Sequence, residues 1–115
     1  MSEPINVLPA LALRGTTILP GMIIHFDVSR ERSKKAIEAA MFQDQKIFLV
    51  TQKDPQLEDP GFVQLFQVGT IAYIKQVVKL PDNLLRVLVE GKRRAELLPF
   101  YSSQYRQPYL GRTYL

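Results

Sequence analysis

From residue 68 to residue 89 apolar and polar side chains alternate on both sides of a tight turn signal, and that pattern commits the chain to a β-hairpin. Ala72, Ile74, Val78 and Leu80 fall on one face, with Tyr73, Lys75 and Lys79 on the other. Pro81-Asp82-Asn83 is the turn: proline presets φ, and Asn83 tolerates the left-handed conformation that short hairpin loops need. Leu85, Val87 and Val89 return, interleaved with Arg86 and Glu90. Gly91 then permits a bend or bulge before residues 93–98 continue as strand. A period of two sustained this long cannot be a helix.

The remaining segments supply partners for the hairpin. Residues 8–13 are apolar, Gly15 breaks them, and Leu19-Pro20-Gly21 marks a turn. Residues 22–28 are β-branched and aromatic, as a strand wants. Ser29 is a suitable N-cap for a helix over residues 30–43, in which Ala36, Ile37, Ala40 and Met41 recur at helical spacing with Ser33 on the same stripe. Arg32, Lys34, Lys35 and Glu38 fill its surface, and Asp44 begins the exit. Residues 46–52 form a short apolar run suited to a central strand, and residues 53–61 are a loop. Residues 62–66 read equally as one helical turn or an extended link. The expectation is a mainly β domain with one helix, about six strands closed into a small barrel that hides its edges.

With 115 residues the chain builds one core, here about residues 7–98, followed by an aromatic-rich segment, 99–115. There is no cysteine, which excludes disulfides, thiolate chemistry and cysteine-held metals. The first residues lack a basic leader, and the apolar run at residues 7–13 is too short and proline-broken to span a membrane, so a cytoplasmic protein is expected. The net charge of +4 resides in the C-terminal third, where Arg86, Lys92, Arg93, Arg94, Arg106 and Arg112 face only Glu90 and Glu96.

Catalytic constellations are lacking. His25, the sole histidine, sits between Ile24 and Phe26 in a strand pattern, and Ser102-Ser103 has no nucleophile elbow around it. Asp54, Glu58 and Asp59 do not have calcium-loop spacing, and Gly61, Gly69 and Gly91 stand alone, without a phosphate-binding loop. No metal or cofactor is expected in these residues. Gly91-Lys92-Arg93-Arg94 is the one basic cluster; strict alternation points Lys92 and Arg94 one way and Arg93 the other. The tyrosines after position 100 keep weak nucleic-acid binding open, since bases stack on rings while cations hold phosphates.

Several collinear blocks resemble the opening of the ATP-dependent protease Lon family. They are residues 8–14 (Leu-Pro-Ala-Leu-Ala-Leu-Arg), 19–22 (Leu-Pro-Gly-Met), 28–33 (Val-Ser-Arg-Glu-Arg-Ser), 48–54, 68–72, 80–82 and 87–95. The match runs from about Leu8 to Leu98 and thins beyond Pro99. Ala12 replaces a frequent second proline, and Asn83 a frequent hairpin glycine; both affect only local turn or edge geometry. The resemblance implies a six-stranded pseudo-barrel with a helix, related to PUA-type folds, that helps recognise unfolded or tagged substrates and supports assembly. It also implies a longer, homohexameric parent enzyme, an ATP-dependent serine endopeptidase using ATP and magnesium, whose Ser-Lys dyad lies outside these residues. The end at Arg112-Thr113-Tyr114-Leu115 reads as a cut within that longer chain.

Two sets of contact residues follow. Phe62, Leu65 and Phe66, after the Pro/Gly-rich loop, are the candidates for apolar substrate contact. Tyr101, Tyr105, Tyr109 and Tyr114 are the candidates for self-association as a dimer through a freed strand edge, because tyrosine and arginine suit interfaces. Their alternative is to pack on the same barrel as its last strand. The other readings of the whole chain are a free-standing PUA-like nucleic-acid module and a Lon-like adaptor domain.

Overall fold

The computed structural model describes residues 5–6, 8–42, 44–56, 66, 68–99 and 109–113. The elements are β1 (Ile5–Asn6), β2 (Ala10–Leu13), β3 (Ile23–Val28), α1 (Glu31–Phe42), β4 (Lys46–Thr51), β5 (Val68–Leu80), β6 (Leu84–Pro99) and β7 (Tyr109–Thr113). Among the described residues seven strands form one mixed sheet in the order β1-β7-β6-β5-β4-β2, with β3 paired to β6 off that path. The expected count was six. The ladder is an open path, and among the described residues β1 and β2 at its two ends do not pair with each other. The pair β2–β4 is parallel and the others are antiparallel.

The hairpin forms as the alternation requires. Asp82 and Asn83 both take positive φ at its tip (62° and 63°), conformations that Asp and Asn accept at small cost. Two register shifts break the alternation inside it. At the first, Ile71 opposes Arg93 and Ala72 opposes Gly91, leaving Lys92 as the extra residue on β6. At the second, Ile74 opposes Val89 and Gln76 opposes Leu88, leaving Lys75 as the extra residue on β5. An extra residue inverts the phase of everything beyond it. Val78 is therefore exposed, and Val77 packs on the core in its place.

β4 is buried on both faces, which is why it reads as a continuous apolar run. Ile47 and Leu49 join Leu11, Leu13, Ile37 and Val89 in the larger core under α1, whereas Phe48 and Val50 join Ile71 and Ala95 in a smaller core on the opposite face. Gly69 is the close-packing partner of Phe48: a Cβ there would strike the Phe48 ring and the Leu49 carbonyl.

The α1 helix lays Ser33, Ala36, Ile37 and Ala40 on the sheet. Its N-cap is Arg30 rather than Ser29, since the Lys34 amide donates to the Arg30 carbonyl (3.0 Å). The Arg30 guanidinium is drawn inward, donating to the Ala12 carbonyl of β2 (2.6 Å) and to the buried Gln52 side chain (3.1 Å). Lys34, expected on the surface, is buried: its ammonium donates to the Asn83 carbonyl at the hairpin tip, and Glu31 lies 3.8 Å away. Met41, expected in the core stripe, is exposed beside Phe42, because the buried stripe centres between Ala36 and Ala40 and the last turn falls at its rim. Gln45 closes the helix by donating to the Ala40 carbonyl (2.9 Å) while Asp44 sits at φ 56°, a Schellman turn made without glycine.

Leu19-Pro20-Gly21-Met22 is a type II turn, with Gly21 at φ 86° and the Met22 amide on the Leu19 carbonyl (3.1 Å). Gly21 donates to the Gly91 carbonyl and Gly91 to the Met22 carbonyl, both at 2.8 Å, so Gly21 is the left-handed residue of a G1 bulge facing β6. The buried Thr70 hydroxyl donates to the Ile18 carbonyl and fixes the same segment over β5.

Candidate functional site

Of the expected apolar contact residues, Phe66 is described; Phe62 and Leu65 lie outside the described residues. Phe66 is 49% exposed, and its amide donates to the Thr51 carbonyl at the end of β4 (3.0 Å). The Thr51 hydroxyl in turn donates to the Thr16 carbonyl (2.8 Å), so the backbone beneath Phe66 is tied while its ring projects. Val68, which opens β5, is also exposed.

Tyr101, Tyr105 and Tyr114 lie outside the described residues. Tyr109 begins β7, which pairs with β6 along one edge and with β1 along the other. Among the described residues Ile5 and Asn6 pair with Arg112 and Gly111, so β1 meets part of the edge expected to be free.

Sequence reasoning missed a second surface, on the sheet face opposite α1. Cross-strand register sets Ile23 of β3, Glu90 of β6, Tyr73 of β5 and Lys46 of β4 in one row. Ile23 is 65% exposed. The Glu90 carboxylate holds Lys75 at 3.1 Å and Lys92 at 3.2 Å. Hydrogen bonds from Lys75 and then Lys92 keep its pKa below the usual carboxylate range. The Lys92 and Lys46 ammoniums lie 5.6 Å and 5.9 Å from the Tyr73 ring centre, within cation–π range. The bulge at Lys92 also corrects the expected split of the basic cluster. Arg93, opposite Ile71, shares the face of Tyr73, while Arg94, opposite Thr70, points to the other. The sequence signal was Gly91, which permits a bulge without announcing where it falls.

Two rows further along the hairpin, Asp27 of β3 and Arg86 of β6 pair through two bonds of 2.9 and 3.2 Å. The hydrogen bond from Arg86 lowers the Asp27 pKa, and the same bond raises that of Arg86. His25 stands between these rows, exposed, opposite Leu88. Among the described residues no group of three or more His, Asp or Glu side chains is placed to hold a metal ion, and no helix is long and apolar enough to cross a membrane.

The described surface thus combines projecting apolar side chains with a cationic face. Residues 7–114 match the family model of the ATP-dependent protease La (LON) substrate-binding domain, and the chain belongs to that family. It is 52% identical over 110 residues to the Lon protease of Lachnoclostridium phytofermentans, covering 96% of this chain and 13% of that protein. It is 47% identical over 98 residues to Lon protease 1 of Thermus thermophilus, covering 85% of this chain and 12% of that protein. The chain thus spans about an eighth of the length of these curated relatives. The solved N-terminal domain of Mycobacterium avium complex Lon protease has the same fold, with a TM-score of 0.68 at 24% identity over 93% of this chain and 53% of that one.

Proposed function

We propose that this chain recognises unfolded or tagged protein segments for an ATP-dependent serine endopeptidase of the Lon type. The match to the substrate-binding family over residues 7–114 carries the reading. In it the parent enzyme is a cytoplasmic homohexamer that uses ATP and magnesium, and its ATPase module and Ser-Lys dyad lie outside these residues. Residues 7–98 are the recognition core, in which the five strands β2–β6 curl as a pseudo-barrel of PUA type and β1 and β7 are additions. The two bulges of the hairpin support the curl that such a barrel needs. Residues 99–115 contribute to self-association, with Tyr101, Tyr105, Tyr109 and Tyr114 as the contact residues.

Of the expected apolar contact residues Phe66 is the described one and it is exposed, with Phe62 and Leu65 completing the proposed set. The test is binding of a permanently unfolded, alkylated protein of near-zero net charge, read by fluorescence anisotropy. The unfolded form binds and its native counterpart does not, and Phe66→Ser weakens binding by about threefold to tenfold, the worth of one partly exposed aromatic. Equal binding of native and unfolded forms would sink the reading.

A further inference from the structure

We propose that the face carrying Tyr73 selects acidic stretches in the unfolded segments that this chain binds, an inference that rests on the reading of the chain as a recogniser of unfolded protein. The cations on that face outnumber the carboxylates. Lys46, Lys75, Lys92 and Arg93 share it, and Glu90 is the carboxylate that register sets among them. Glu90 is already shared by two of the lysines, so their charge is only partly neutralised. Lys46 and Lys92 each place an ammonium within cation–π range of the Tyr73 ring, whose electron-rich face favours positive charge there. Such a concentration of positive charge is complementary to carboxylates.

The arrangement suits a peptide better than a nucleic acid. Single-strand readers leave aromatic faces open for bases, whereas the half-buried Tyr73 ring carries ammoniums instead. The Glu90 carboxylate in the centre repels a continuous phosphate backbone, while a peptide can space its acids around it. Ile23, in the same row, offers apolar contact that a phosphodiester chain cannot use. From β3 to β4 the row crosses three strand spacings, about 14 Å, which an extended chain covers in about four residues. The preferred segment therefore has an apolar residue with Asp or Glu about four positions from it, on either side.

The test uses short fluorescent peptides and the purified chain, followed by anisotropy. One peptide has this pattern, a second replaces its acids by Asn and Gln, a third replaces them by Lys, and oligothymidylate is the phosphate probe. The acidic peptide is expected to bind about tenfold tighter than the neutral one at low salt, with the gap closing as salt is raised. Lys46→Gln combined with Lys92→Gln and Arg93→Gln removes the gap and leaves the neutral peptide unchanged; single Lys46→Gln, the gentler change, narrows it. Circular dichroism and thermal unfolding establish that the variants fold. Equal affinity for acidic and neutral peptides, or a gap that survives the triple variant, overturns the proposal while leaving unfolded-segment recognition in place. Oligothymidylate binding tighter than the acidic peptide, and lost in the triple variant, would make the face a phosphate site and overturn it as well. Failure of all three peptides to bind removes this inference together with the reading beneath it.

Discussion

Gly91 lies so close beneath Leu19 that a Cβ on residue 91 would collide with the Leu19 carbonyl oxygen. The bonds that create this approach run from Gly21 to Gly91 and from Gly91 to Met22, so the type II turn is pinned across β6 at the point where the bulge begins. Gly91→Ala must lift the turn or break those bonds, at about 1–3 kcal/mol. Gly15→Ala is the control: φ is 69° but a Cβ there meets open space, so only the left-handed penalty of about 1 kcal/mol applies. Urea unfolding of both variants checks the order.

Phe48 is 1% exposed and fills the smaller core on the face opposite α1. Phe48→Ala is expected to destabilise by about 3–5 kcal/mol. Phe42 is 90% exposed, and Phe42→Ser should change stability by less than about 0.5 kcal/mol. Comparable effects from both in a thermal melt would mean that the end of α1 is covered.

Lys34 joins the helix to the hairpin tip through the Asn83 carbonyl. Lys34→Met keeps the apolar stem and removes the ammonium, and about 1–3 kcal/mol should be lost with the charged hydrogen bond. Amide exchange at residues 82–84 should rise by more than exchange in β4, a difference that a uniform loss of stability would not produce.

Asp27 and Glu90 bind protons less tightly folded than unfolded, because Arg86 holds one carboxylate and Lys75 with Lys92 the other. Their contribution to stability is complete above the ordinary carboxylate pKa values, about 3.9 and 4.3, and is lost as pH falls through the lower folded values. Lys75→Gln with Lys92→Gln should move the Glu90 titration upward in a carboxyl-detected NMR experiment and leave Asp27 in place. Arg86→Gln should do the reverse.

Much of this architecture was legible in the residues. The apolar run of β4 and the turn residues at 81–83 each have one physical use, and both were met. Phases and destinations were less so. Nothing in the alternation of β5 marks Lys75 as an extra residue, so Val77 and Val78 exchanged roles. The burial of Lys34 depends on where the hairpin tip comes to rest, which a helical wheel does not contain. The cationic face is hidden for the same reason: Lys46, Tyr73 and Lys92 are far apart in sequence and meet only once register and bulge are fixed. The projecting Phe66 was more visible, because it follows a loop that proline and glycine announce.

β6 serves three strands: β5 along one edge, and β3 and β7 at successive stretches of the other. On a ribosome the chain emerges from its N-terminus, so β2, β3, α1 and β4 are made before any of β6 exists. Until residues 85–90 arrive, β3 lacks its strand partner β6, and Ile24 and Phe26 have no paired sheet to lean on. Partners so distant in sequence close slowly, on the order of milliseconds to seconds for such topologies. A nascent chain stalled after β5 is therefore an unsealed one, sticky along β3, and becomes inert only when translation delivers the sixth strand.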